Sequence, residues 1–189
     1  MATPTKKAGL GRRHGVVSEL SAPLTVIEGH LDELKAASGR FNERLLQAAA
    51  HKPGYIQKIG IRYMRHIVFD DGRRLMWLTA FETDWDPYID DALELIGMRS
   101  WVDWLQHTNE YSALGLDPDT VTNAEVKEFL QSVQVPAAAF FDSLFDVTMP
   151  EVRRFQQLGA AFEQVLEAPD AEAALRQPAL APLLEQAAG

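Results

Sequence analysis

The side chains best suited to chemistry in this chain are its five histidines, because there is no cysteine. Without thiols, disulfides, thiolate metal sites, iron–sulfur clusters and cysteine nucleophiles are excluded. His14 sits in a basic stretch, and His51 lies at the end of a predicted helix, where a cation is favourable. His66 lies in "IGIRYMRHIVFDD" (59–71), an alternating strand pattern that puts Arg62, Met64, His66 and Val68 on one face and Ile59, Ile61, Tyr63, Arg65, Ile67 and Phe69 on the other. Were that face to line a cavity, Arg62 would hold an anionic or oxygenated ligand as a fixed fork and His66 would shuttle a proton. A polar strand face turned to solvent is the plainer use. His30 falls beside a neighbouring predicted strand and need not approach His66. His107 and Glu110 stand three residues apart, a helical spacing at which a carboxylate orients an imidazole, or simply an exposed helix-face pair. No metal-binding motif accompanies them, so no metal ligands are assigned. Trp77, Phe81, Tyr88 and Trp104, with Trp85 and Trp101, supply either a pocket for a planar molecule or core and interface packing.

These residues need elements to position them. "APLTVIEGHL" (22–31) reads as a first strand after a basic leader, 1–20. Leu31, Leu34, Phe41, Leu45 and Ala48 form one stripe of a following helix that Pro53-Gly54 ends. The strand over 59–71 turns at Asp71-Gly72, a strong hairpin signal, into "RLMWLTAFE" (74–82). Thr122 and Glu125 spell a capping box. "PAAAFFDSLFDV" (136–147) reads as a last strand. Val152, Phe155, Leu158, Phe162, Val165 and Leu166 give a helix over 149–167, before an Ala/Pro-rich tail, 168–189. The expected architecture is therefore α+β: a β-α-β-β-α-β antiparallel sheet with a helical insertion, 98–133, before the last strand, and a C-terminal helix, in one domain over 21–167.

The acidic run "ETDWDPYIDD" (82–91) has a structural explanation of its own. Asp86 suits an N-cap, Pro87 a first helical turn, and Gly97 a helix stop. Glu82 or Asp84 facing a pocket at the strand end is the alternative.

The net charge is −9 over 189 residues. Without Lys6, Lys7, Arg12 and Arg13 the remainder carries 14 basic against 27 acidic side chains, a net of −13, so a nucleic-acid partner is disfavoured. No stretch approaches the roughly 20 apolar residues needed to span a bilayer, and no apolar signal segment is present. The expectation is a cytoplasmic protein without a membrane partner. No phosphate-binding loop, dinucleotide fingerprint or nucleophile elbow occurs.

The segments "PLTVIEGHL", "RHIVFDDGRRLMWLTAFETDWDPYIDD" and "HTNEYSALG" resemble an uncharacterised bacterial group in the ferredoxin-like dimeric α/β-barrel superfamily, over roughly residues 22–111. The resemblance implies paired subunits. Its wider relatives include cofactor-independent monooxygenases, dye-decolourising peroxidases and chlorite-dismutase-like haem proteins. The expectation that follows is a homodimeric small-molecule enzyme, an oxidoreductase by analogy, taking an oxidative or cofactor-independent step on an aromatic or hydrophobic substrate. Arg62, His66, His107 and Glu110 would then be catalytic, and Trp77, Phe81, Tyr88 and Trp104 would bind substrate. A non-catalytic ligand-binding protein and a haem protein are the alternatives; no motif demands haem or any other cofactor. An absorption spectrum after expression with iron and a haem precursor separates them. A Soret band lost on His66→Ala or His107→Ala marks haem, and a colourless protein leaves the other two.

Overall fold

Alternation of apolar side chains builds the centre of the molecule, described in a computed structural model over residues 9–51 and 53–188. Four antiparallel strands, β1 (Arg13–His14), β2 (Val17–Thr25), β3 (Ile61–Phe69) and β4 (Arg74–Phe81), lie in the order β1-β2-β4-β3. The inner face carries Leu20, Ala22 and Leu24 of β2 opposite Thr79, Trp77 and Leu75 of β4, all buried. Helices α1 (Leu31–His51), α3 (Trp85–Ile96) and α4 (Met98–Leu105) cover that face. The short helices α2 (Pro53–Ile59) and α5 (Asn109–Ser112) and the longer α6 (Asn123–Val133) complete the first of two compact units, Met1–Met149. The second unit, Pro150–Gly189, holds most of α7 (Met149–Leu166), then α8 (Ala171–Leu175), a 3-10 turn and α9 (Ala181–Ala188). The predicted apolar stripe lies on α7, with none of its residues buried.

Local chemistry explains most boundaries. The hairpin from β3 to β4 turns through Asp70, Asp71 and Gly72 at φ 54°, 52° and 83°, a left-handed run that Asp tolerates and Gly favours. A Cβ on Gly72 would also come within 2.5 Å of the Leu31 side chain. The N-cap of helix α3 is Asp84, two residues before the expected one, and Pro87 occupies the third helical position, where a missing N–H leaves no intrahelical bond unmade. Gly97, at φ 87°, ends the helix as expected. The capping box of Thr122 and Glu125 forms at the start of α6. Pro23 sits inside a strand because the β2 positions 19, 21, 23 and 25 turn their backbone groups away from β4, toward a mostly open edge.

Two expectations about strands fail. Residues 136–147 do not form a strand; only Val135 bridges β2, at Ser21. The fourth strand comes instead from within the expected leader, at Arg13–His14, while Lys6 and Lys7 lie outside the described residues. The segment after Val135 is held by polar groups. The buried Glu19 carboxylate accepts from the backbone N–H of Arg12 and of Ala137, each at 3.0 Å, and from Ser21 Oγ at 2.7 Å. The second failure is in β3. Its register steps between Ile61 and Tyr63, leaving Arg62 unopposed, so Ile61 joins Met64 on the inner side and Arg62 leaves the face of His66.

Arg62 is instead the centre of a dry ionic cluster. Its Nε donates to Glu82 at 2.9 Å, its Nη1 to Asp142 at 2.8 Å and its Nη2 to the carbonyls of Leu144 and Val147. The Arg62 and Glu82 side chains are only 6% and 5% exposed. Glu82 also accepts from the backbone N–H of Met149 at 2.7 Å. Removing the cation would strand two carboxylates. Arg62→Ala is therefore expected to lower unfolding free energy by about 3–5 kcal/mol in urea titrations; a loss under about 1 kcal/mol would contradict this assignment.

Candidate functional site

The structure places the four predicted catalytic residues in four separate settings. Arg62 is consumed by the cluster above. His66 points into the core, 4.6 Å from the Trp104 ring and 5.5 Å from that of Phe41, with Nδ1 2.9 Å from Ser38 Oγ. Its buried Nε2 has no partner. Burial pushes its pKa down to about 4, so it is a neutral imidazole at neutral pH. Glu110 does not orient His107. Both its carboxylate oxygens accept from the backbone N–H of Thr25, at 3.0 and 2.9 Å, sealing the open edge of β2.

His107 finds a different partner, His30, at 3.1 Å between the two Nδ1 atoms. One ring must donate to the other, so the pair shares a proton. The topology makes this contact: the backbone N–H of Ile27 bonds to the His107 carbonyl, and Val26 bridges Thr108, which brings the end of β2 against the end of α4. Burial, and then His30, hold the His107 pKa below the usual histidine range, against the opposing influence of Asp103 and Glu33.

Trp77, Phe81, Tyr88 and Trp104 are all buried to within 1% of full enclosure. Trp101 meets Trp77 and Phe41 edge-on, each at 5.2 Å, and Phe81 stacks on Tyr88 at 4.0 Å. The Tyr88 hydroxyl lies 2.6 Å from Thr79 Oγ1, and burial raises its pKa beyond the reach of ordinary pH. The space left among Phe41, Trp77, Tyr88 and Trp101 is about 10 Å³, no more than one water's worth. These rings therefore pack as a core.

The acidic run after β4 is likewise committed. Glu82 pairs with Arg62, Asp84 lies 3.7 Å from Arg13, and Asp86 and Asp90 share Lys127 at 2.9 and 2.6 Å.

What remains open is a cleft of about 380 Å³ between α1, α4 and the turn at Pro118-Asp119. Arg40, Arg44 and Arg99 line it, with Ser100, Asp103, Gln106 and Asp119. Phe41, Val102 and Pro118 provide its apolar wall. Arg40 grips Asp103 through Nε and Nη2 at 2.8 and 2.9 Å, and Arg99 reaches Asp119 at 2.9 Å. Among the described residues Arg44 has no counter-ion. His107 follows Gln106 in the chain and feels the charges of Asp103 and Arg40, but neither it nor His30 lines the cleft. A second hollow, about 350 Å³ beside α6, has Glu125 and Glu128 but no cation. Sequence periodicity could not find the cleft, because its arginines are ordinary exposed positions on two helices 55 residues apart (Arg44 to Arg99). Among the described residues no group of three or more metal-ligating side chains is present.

The state of His66 is testable through stability. An unfolded histidine titrates near 6.5, and folded His66 near 4. Between those values the unfolded chain binds a proton that the folded chain refuses. The contribution is thus intact above about pH 6.5 and is lost as pH falls toward 4, by at most about 3 kcal/mol. Urea unfolding at several pH values is expected to show a steeper acid loss in the wild type than in His66→Gln; equal slopes would place His66 in solvent.

Compared with known protein families, curated proteins and solved structures, the chain matches none, so the functional reading rests on this geometry.

Proposed function

We propose that this protein binds a small molecule in the cleft between α1 and α4 and works as a homodimer. The observation that carries the first part is the cleft itself. Its volume of about 380 Å³ lies within the usual range for ligand sites, and it joins an apolar wall to convergent polar groups, Arg44 among them with no counter-ion among the described residues. An aromatic or hydrophobic substrate would find no room on the helical side of the sheet, where the rings are packed. The cleft is the better place for a ligand, and its mixed lining calls for a ligand with a polar group on an apolar body.

The catalytic reading has one specific observation in its favour. The His30–His107 contact, outside the cleft lining, is a place where a proton can be held on one Nδ1 and passed to the other. An enzyme of this kind would use His107 with His30 as its partner in place of Glu110. Oxidative chemistry and haem binding have no comparable support from the geometry, and binding without catalysis is the simpler conclusion.

The sheet supports the dimer. Its outer face presents Tyr63, Ile67 and Phe69 at 41%, 39% and 41% exposure, beside half-buried Pro23, Met76 and Leu78. The insertion does not cover this face, since α4 belongs to the helical layer on the other side. Two copies packed sheet to sheet, as in a ferredoxin-like α/β barrel, would bury the patch and leave the cleft open.

Light scattering at micromolar concentration is expected to give twice the chain mass of 21.1 kDa, and Ile67→Lys to give the single mass. A wild-type monomer would sink the dimer. Soaking crystals with a fragment library of mixed charge is expected to place bound fragments between α1 and α4; binding only elsewhere would remove the cleft from consideration.

A further inference from the structure

We infer that the cleft between α1 and α4 selects a small aromatic monocarboxylate; this rests on the cleft being the ligand site. Charge decides the class. Arg40, Arg44 and Arg99 face Asp103 and Asp119, which leaves one net positive charge in a protein whose total is −9. A single carboxylate neutralises that charge. A dianionic phosphate ester would exceed it and be repelled by the two aspartates already present.

Donor geometry points the same way. Asp103 pairs with Arg40 through its Nε and Nη2 and so orients that guanidinium plane, while Arg99, with its side chain 88% exposed, makes a single contact to Asp119 through Nη2. Both leave N–H groups unused. Arg44, one turn along α1 from Arg40, offers its whole fork to a planar, two-oxygen acceptor. Among the described residues no lysine lines the cleft, and a carboxylate matches an arginine fork better than it matches a point charge.

The body of the ligand follows from the wall. Phe41 and Val102 are almost wholly buried, so they present only edges to the cleft, and Pro118 closes it as an exposed flat ring. An apolar edge beside arginine side chains suits one planar ring, which can also stack on a guanidinium. A volume of about 380 Å³ admits one or two rings and no more than a short chain.

Three probes test this by calorimetry and by amide shift mapping in isotope-labelled protein: benzoate, its near-isostere benzamide, and phenyl phosphate. They are used at about pH 8, above the second ionisation of a phosphate monoester. Benzoate is expected to move amides within 40–44 and 99–106. The neutral amide, and benzoate with Arg44→Gln, are each expected to bind roughly 10- to 100-fold more weakly, the loss for one charged hydrogen-bonded contact. Arg44 is exposed and supports no core contact, so the variant folds normally. Benzamide or phenyl phosphate shifting the same amides as tightly as benzoate would overturn the monocarboxylate while keeping the cleft as a ligand site. No amide shift in the cleft with any of the three would overturn both.

Discussion

Burial of Trp77 between the sheet and the helices is the interaction on which the rest of this structure depends. Its ring lies on the central strand β4, and Trp101 and Trp104 of α4 close over it, with Phe41 of α1 edge-on to both. Each of these side chains is almost fully removed from water. Aromatic rings this large dominate the packing energy of a domain this size. Because the contacts are edge-to-face, they also fix the spacing and rotation of α1 against α4. The outer surfaces of those two helices are the walls of the cleft. Arg40 and Arg44 on one, and Arg99 and Asp103 on the other, are therefore held opposite each other by a core that contains none of them.

The core imposes its own polar consequences. The Nε1 groups of Trp77 and Trp104 and Nε2 of His66 are buried without partners, within one cluster of rings. Leaving such groups unpaired costs free energy, and packing of this quality offsets it. Neutral His66 is the extreme case: a titratable group packed against aromatic rings, with Ser38 Oγ on its Nδ1 and no partner for its Nε2. The same logic governs the charges at the other end of the sheet. Arg62 is removed from water only because Glu82, Asp142 and two carbonyls saturate its donors. Burial pushes the Glu82 pKa up, while Met149 N–H and Arg62 oppose that shift.

Sheet edges are handled with equal economy. The edge of β2 is closed by the two-residue strand β1, by a single bridge to Val135, and by the Glu110 carboxylate on Thr25. Pro23 has no N–H to satisfy there. The 136–147 segment, though rich in apolar residues, follows backbone partners set by Glu19 and Arg62, and so stays irregular.

Much of the architecture was legible in the chain itself. Apolar spacing located the helix α1, although Pro53-Gly54, expected to end it, opens α2; alternation located β3 and β4, and Asp71-Gly72 located their turn. Gly97 and the Thr122–Glu125 box marked helix ends, and the acidic run after β4 was readable as helix-start chemistry. Those features are local: periodicity and capping act within a few residues, so a linear string records them. Tertiary structure alone decided the rest. The bulge that turned Arg62 away from His66, the use of Arg13–His14 in place of 136–147 as the edge strand, and the meeting of His107 with His30 depend on partners as far as 77 and 80 residues distant or on competition for one sheet edge. The four aromatics expected to bind substrate were correctly seen as a group, but whether such a group encloses a pocket or fills one depends on the volume between helices and sheet. That volume is set by the backbone distances of elements far apart in the chain, and no residue spacing encodes it.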